Sequence, residues 1–267
     1  QHLDPTTVTK IGGDVNYLIT PTLKLNLTFN TDFAQVESDR AQINMNRFSL
    51  FYPEKRDFFL EGYNFFGFNI DNARMFYSRR IGIHGDQQIP IIAGARVMGK
   101  TGSTNIGALS IQTAEKGDVR STNYSVLRLR QDILKKSNIG IIFTGKNDGD
   151  SYNYVYGADL NYFTAEFLED KNLAAGAKII QSQDSELESK KNLSYLLYLN
   201  YPNDELRIYS SISSIQKGFK PGIGFLKRGN YNNLHFEMQY NPRINFIPHV
   251  QRFRFELIDA SMYYTEK

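Results

Sequence analysis

Short stretches of strict alternation recur along this chain, joined by connections that are in turn brief and long. Leu23-Lys24-Leu25-Asn26-Leu27-Thr28-Phe29-Asn30 puts every apolar side chain on one face and every polar one on the other. The longer run from Tyr152 through Tyr154, Tyr156 and Leu160 to Tyr162 nearly repeats the pattern. Successive side chains of a strand point to opposite faces, so this period is that of a two-faced sheet. The alternation predicts about twelve strands, over 12–19, 22–30, 91–99, 105–113, 124–132, 139–146, 152–163, 173–181, 193–201, 206–215, 231–240 and 250–261.

The connections sort into two classes. One is short: 20–21, 100–104, 133–138, 164–172, 202–205 and the stretch starting at Asn241-Pro242. The other is mostly longer and more polar: 31–90, 114–123, 147–151, 182–192 and 216–230. The two classes alternate along the chain, which is the habit of outer-membrane barrels with short periplasmic turns and long external loops. Ten residues at about 3.3 Å each, tilted by about 40°, give a band near 25 Å tall. The fold expected is therefore all-β, an antiparallel transmembrane β-barrel.

The apolar faces carry Leu25, Leu27 and Phe29; Ile139, Ile141 and Phe143; Tyr195, Leu197 and Leu199; and Leu234, Phe236 and Met238. Lys24, Asn26, Thr28, Thr144, Ser194, Asn200, His235, Glu237 and Gln239 lie opposite. Arg128 and Arg130 stand opposite Leu127 and Leu129, an arrangement that fits a wet lumen, so Lys24, Arg128 and Arg130 are expected on a lumen-facing wall. The stretch 105–113 hardly alternates. The alternative is a soluble all-β domain with the apolar faces turned into a core. Twelve strands in a ring are too wide for side chains to fill, so that version requires two packed sheets.

Composition narrows the choice. No run approaches the roughly 18 apolar residues of a transmembrane helix, so a membrane-spanning form has to be a closed barrel. Seventeen tyrosines and nineteen phenylalanines (17 and 19) suit interfacial girdles, although there is no tryptophan. The net charge of +3 offers no basic field for nucleic acid. The absence of cysteine excludes thiolate metal sites, disulfides and cysteine nucleophiles. The chain opens at Gln1 with no signal peptide, as an exported and processed protein would.

The connection 31–90 is far longer than an ordinary hairpin loop. It is rich in aromatics, among them Phe51, Phe58, Phe59, Phe65, Phe66, Phe68 and Phe76. Its charges, Glu37, Asp39, Glu54, Lys55, Arg56, Asp57, Glu61, Arg79 and Arg80, read as an ion-paired network. A segment with that much aromatic surface needs something to pack on. It is expected at least partly inside the barrel as a plug, with an external cap as the alternative.

Three motifs carry a resemblance. They are Asn30-Thr31-Asp32-Phe33-Ala34-Gln35-Val36-Glu37-Ser38-Asp39, Phe51-Tyr52-Pro53-Glu54-Lys55-Arg56-Asp57-Phe58-Phe59-Leu60-Glu61-Gly62 and Phe76-Tyr77-Ser78-Arg79-Arg80-Ile81-Gly82. With Gly99-Lys100-Thr101-Gly102 and the run from Phe219 to Phe225, they resemble an uncharacterised outer-membrane barrel family common in Bacteroidota, domain of unknown function 5916. In that family a family-9-like carbohydrate-binding domain usually precedes the barrel. The resemblance implies an outer-membrane location in a Gram-negative bacterium and no established activity. It also implies that segments are missing at both ends: this chain lacks the preceding domain, and it stops at Lys267 without a terminal aromatic.

Other chemistry is thin. Gly94-Ala95-Arg96-Val97-Met98-Gly99-Lys100-Thr101 fits the P-loop pattern, but its middle reads as strand, and the motif works only between a strand and a helix. Asp32, Glu37 and Asp39 lack the spacing of a calcium loop. Glu54 and Glu61 read as ion-pair members, with Lys55, Arg56 and Asp57 beside them, sooner than as a glycosidase pair. The four histidines have no metal-ligand spacing. The expectation is a non-enzymatic barrel without cofactor or metal. It would be a gated or plugged pore or ligand-docking component linked to saccharide. The alternative is a sealed barrel serving as a structural or assembly subunit. Expected partners are outer-membrane lipid, other outer-membrane or periplasmic proteins and saccharide, but not nucleic acid.

Overall fold

The computed structural model describes residues 11–30, 48–85, 87–187, 189–244, 246–247 and 249–265. Twelve strands form one antiparallel sheet in chain order. They are β1 (Gly13–Thr20), β2 (Leu23–Phe29), β3 (Ile91–Thr101), β4 (Thr104–Thr113), β5 (Asn123–Ile133), β6 (Ser137–Asn147), β7 (Tyr152–Phe167), β8 (Lys171–Asp184), β9 (Leu193–Pro202), β10 (Leu206–Ile215), β11 (Tyr231–Tyr240) and β12 (Phe255–Tyr264). The strand count and the antiparallel order agree with the alternation. Among the described residues β1 and β12 each pair on one side only, so the sheet is open between them. The twelve strands form one hydrogen-bonded sheet and not two separate ones.

Eleven of the twelve strands fall within a few residues of their sequence-predicted positions. The twelfth is displaced: 250–261 was expected and the strand spans Phe255–Tyr264. The turn before it was expected to be short, yet it occupies 241–254 and is tied down by charge. Arg243 and Arg252 converge on Asp204, with Arg252 Nη1 2.7 Å from Asp204 Oδ1. These cations hold 250–254 in the turn, where only an isolated bridge from Arg243 to Arg252 forms. The other connections at that end are 21–22, 102–103, 134–136, 168–170 and 203–205, and those at the opposite end are 30–90, 114–122, 148–151, 185–192 and 216–230.

The two faces have inverted polarity. Asn26, Thr28, Thr144, Ser194, Ser211 and Asn233 are buried, whereas Leu27, Phe29, Ile141, Leu197, Leu199 and Ile212 are exposed. Ile141 is 50 % exposed and Leu197 51 % exposed in mid-strand. The buried, polar face is the inner one, because residues 48–85 and part of 216–230 pack against it. Where they pack, the inner face turns apolar: Ile111, Tyr124, Val126, Ile142, Val155, Ile180, Ile215 and Tyr231 join two buried clusters with Phe59, Phe66, Phe68, Ile70, Met75 and Phe76. This explains why β4 hardly alternates. Its Leu109 and Ile111 face a packed segment instead of water.

Candidate functional site

The inner segment is compact for its lack of regular structure. It contains one helical turn at Asp57–Leu60, two 3₁₀ turns at Tyr63–Phe66 and Ser78–Arg80, and a two-residue ribbon, Asn69–Ile70 with Ala73–Arg74. A third piece, Phe225–Leu226, extends that ribbon. Backbone bonds weld the two segments together, with Tyr77 N donating to Ile223 O at 2.9 Å. The wall holds the second segment through Asn153, whose Nδ2 donates to Lys220 O at 2.9 Å while its Oδ1 accepts from Gly222 N at 2.7 Å. The contribution of 219–226 to this body was not expected. The aromatic ends Phe219 and Phe225, both buried, were the sequence signal for it.

Three charged arrangements organise the body and its seat. The first lies within the inner segment. Arg56 is buried and its Nη2 sits 2.7 Å from Glu54 Oε2. Its other donors reach Ile81 O and Ser78 O, each at 2.8 Å. Ser78 Oγ also donates to Glu54 Oε2 at 2.5 Å. Burial acts to raise the Glu54 carboxyl, but the hydrogen bond and charge of Arg56, with Ser78, outweigh it and hold the group at about 2. Arg56 lies over the Phe59 ring at 4.2 Å, so one guanidinium pins the helical turn to the loop that follows it.

The second arrangement joins the segment to the wall. Glu61 Oε1 accepts from Lys24 Nζ of β2 at 2.5 Å, and its Oε2 accepts from Arg96 Nη2 of β3 at 2.6 Å. Arg96 is buried and also donates to Asn26 Oδ1 at 2.9 Å and to Glu61 O at 3.0 Å. Its guanidinium covers Phe58 at 4.3 Å. The Lys24 hydrogen bond, against burial and aided by the Arg96 charge, keeps Glu61 below its ordinary 4.5. Beside this junction an open cleft of about 490 Å³ is bounded by Asp14, Asn16, Phe58 and the exposed Lys55 and Asp57.

The third arrangement belongs to the wall alone and supports the tip of the segment. Arg128 of β5 makes a two-pronged pair with Asp159 of β7, at 2.6 and 3.0 Å, with both side chains buried. Asp159 Oδ2 also accepts from Asn161 Nδ2 at 2.9 Å, and Asn161 Oδ1 accepts from Tyr198 Oη at 3.0 Å. Phe68 sits between cations, 5.2 Å from Arg128 and 5.9 Å from Lys178, and Lys178 Nζ donates to Asn69 O at 3.0 Å.

Of the residues expected in a loop network, Glu54 and Arg56 pair with each other and Glu61 pairs with the wall. Arg79 donates to Pro53 O within the segment and Arg80 to Gly224 O of the second segment, each at 3.3 Å. Glu37 and Asp39 lie outside the described residues. Lys24 and Arg128 are wall residues in contact with the segment. Arg130 faces the same side, its Nε buried without a hydrogen-bond partner. Sequence reasoning missed Arg96 and Asp159, although each is a charge on the polar parity of a strand, the same signal that singled out Arg128. The P-loop-like run lies within β3, and β4 follows it. Among the described residues no group of three acidic, histidine or cysteine side chains is placed to hold a metal. Glu54 and Glu61 are each paired with cations, Arg56 for the first and Lys24 and Arg96 for the second.

Fold and site together define an all-β protein whose single wide antiparallel sheet seats an aromatic, ion-paired inner body on its polar face. Residues 2–98 match the model of a family described as Domain of unknown function (DUF5916), and this stretch contains the first three of the motifs quoted above. The match covers β1, β2 and the inner segment and ends within β3. No curated protein and no solved structure matches the chain.

Proposed function

We propose that the sheet is the wall of a β-barrel in the outer membrane of a Gram-negative bacterium. The inner body is then a plug that closes its lumen. The observation that carries this reading is the inverted polarity: apolar side chains stand exposed in mid-strand while polar ones are buried against the plug. Exposed apolar surface on this scale needs a non-aqueous partner, and strands alternating apolar-out and polar-in are the pattern that lipid demands. Unpaired strand edges are costly in hydrocarbon, so β1 and β12 pair with each other or with further strands when the barrel closes.

In this reading the protein is a gated pore or ligand-docking component for a polar solute. Saccharide is the favoured class, on the resemblance to a family whose barrels usually follow a carbohydrate-binding domain. Glu61 is a junction between plug and wall, because its carboxylate holds two wall cations, Lys24 and Arg96. No catalytic role is proposed. A second reading, a sealed barrel serving as an assembly platform, draws support from the two apolar clusters that fuse plug and wall.

The absence of cysteine gives a clean test. Lys24→Cys with Glu61→Cys, bridged by a reducible bifunctional thiol reagent in planar bilayers, should be silent while bridged and conduct after reduction. Equal silence in both states would favour the sealed platform.

A further inference from the structure

The outer face is apolar through mid-height and turns polar toward the long-loop end, at Gln183 of β8 and, more fully, on β4 and β5. Through mid-height it is apolar: Ala108 pairs with Leu127, Leu127 with Phe143, and Phe143 with Tyr156. Closer to the long-loop end the same face carries Ser110 opposite Ser125 and Gln112 opposite Asn123. These four form a hydrogen-bonded ladder, with Ser125 Oγ donating to Asn123 Oδ1 at 2.8 Å and Asn123 Nδ2 to Gln112 Oε1 at 3.3 Å.

Across from the ladder stands an aromatic ridge. Tyr154 stacks on Tyr152 with centroids 4.9 Å apart and planes at 18°, and it leans on Phe143 at 5.9 Å. Between ladder and ridge lies Gly145, paired with Ser125 on one side and Tyr154 on the other. A Cβ at 145 would lie 3.2 Å from ring atoms of both Phe143 and Tyr154. The missing side chain therefore keeps the floor low between two walls. The result is an open groove of about 630 Å³ whose only charged lining residue among the described residues is Asp148.

We propose that this groove binds a neutral sugar ring. Such a ring presents a C–H face that packs on a tyrosine and hydroxyls that both donate and accept. Asn and Gln amides offer both roles at a fixed spacing, and tyrosine combines apolar area with a polar tip. Among the described residues no lysine or arginine lines the groove, so a phosphate or other anion gains no charge-assisted contact from them. An acyl chain would leave the amide ladder desolvated. The site is separate from the plug, and whether the lumen opens has no bearing on it.

The sugar has two sources, a free glycan or the headgroup of a glycolipid, and a test with two arms separates them. In the first, the detergent-purified full chain is applied to an array of neutral and acidic oligosaccharides. In the second, it is reconstituted in phosphatidylcholine vesicles with and without monoglucosyl diacylglycerol, and tyrosine fluorescence is read. Neutral-sugar binding in either arm that falls about tenfold in Tyr154→Ala and in Asn123→Ala, as loss of one good contact gives, is the expected result. Both variants should keep the wild-type unfolding temperature, and Gly145→Ser gives a smaller filling of the same floor should either fail to fold. Binding of acidic glycans alone, binding indifferent to all three substitutions, or no binding in either arm overturns the proposal.

Discussion

Arg128 reaches Asp159 across an intervening strand, and Gly140 makes the crossing possible. The pair closes at 2.6 and 3.0 Å although β6 runs between its two strands. A Cβ at Gly140 would lie 2.4 Å from Arg128 Nη1 and 2.8 Å from Asp159 Oδ1. The wall thus carries a buried ion pair at the height where Phe68 of the inner segment comes to rest on Arg128.

Removing one partner leaves a buried charge uncompensated, which costs about 3–5 kcal/mol. Asp159→Asn is expected to destabilise the protein on that scale. Gly140→Val should do comparable damage by separating the pair, although it removes no charge. Denaturant unfolding in detergent checks both. A Gly140→Val protein as stable as wild type would show that Arg128 has another place to go.

The acid response follows from Glu54. Its folded value of about 2 lies below its ordinary 4.5. The stability it contributes is therefore present in full above about 4.5 and lost as pH falls from there through about 2. Glu61 is shifted in the same direction, so the plug-to-wall contact weakens on the same acid side. Protease cleavage within 48–85 should rise as pH drops through this window. Glu54→Gln should be cleaved readily at neutral pH, where wild type resists. Cleavage that does not change with pH would remove Glu54 from the account.

The outward face makes a prediction whose size separates lipid from water. Ile141 lies in mid-strand on the exposed apolar side. Ile141→Lys should cost about 2–4 kcal/mol when the protein folds into vesicles, as cations at a bilayer midplane do. In a soluble protein the same exposed substitution would cost next to nothing. Equal folding of the two proteins into vesicles would argue that this face never meets hydrocarbon.

Much of the architecture was legible because period two is unambiguous where one strand face is wet and the other is not. Leu23 to Phe29 shows it without interruption. It failed where the inner face meets the inner segment, since Leu109 and Ile111 make the inner face of β4 apolar while Ser110 and Gln112 make its outer face polar. It failed again at β12, where Arg252 is drawn to Asp204 and the strand begins later than the alternation suggested. The charged site was half legible. Glu61 and Lys24 could be nominated separately, but their contact joins residues far apart in sequence, and no local pattern announces it. Phe225 entered the inner body for the same reason.

Arg96 ties these points together, since it is buried under Phe58 and holds both Asn26 and Glu61. Arg96→Ala should loosen the plug more than Arg79→Ala, because Arg96 bridges the wall's Asn26 and the segment's Glu61, whereas Arg79 donates to Pro53 O within the segment. Single-channel recordings should show more frequent openings for the first variant than for the second. The reverse order would mean that the Glu61 junction does not hold the plug.

The central claim is that residues 48–85 close a lumen bounded by the sheet. Its most direct test is single-channel conductance of the full-length detergent-purified protein, compared with a variant in which 48–85 is replaced by a short glycine–serine linker. The account predicts a quiet wild type and a large steady current after replacement. A replacement variant that folds, inserts and stays silent would contradict it.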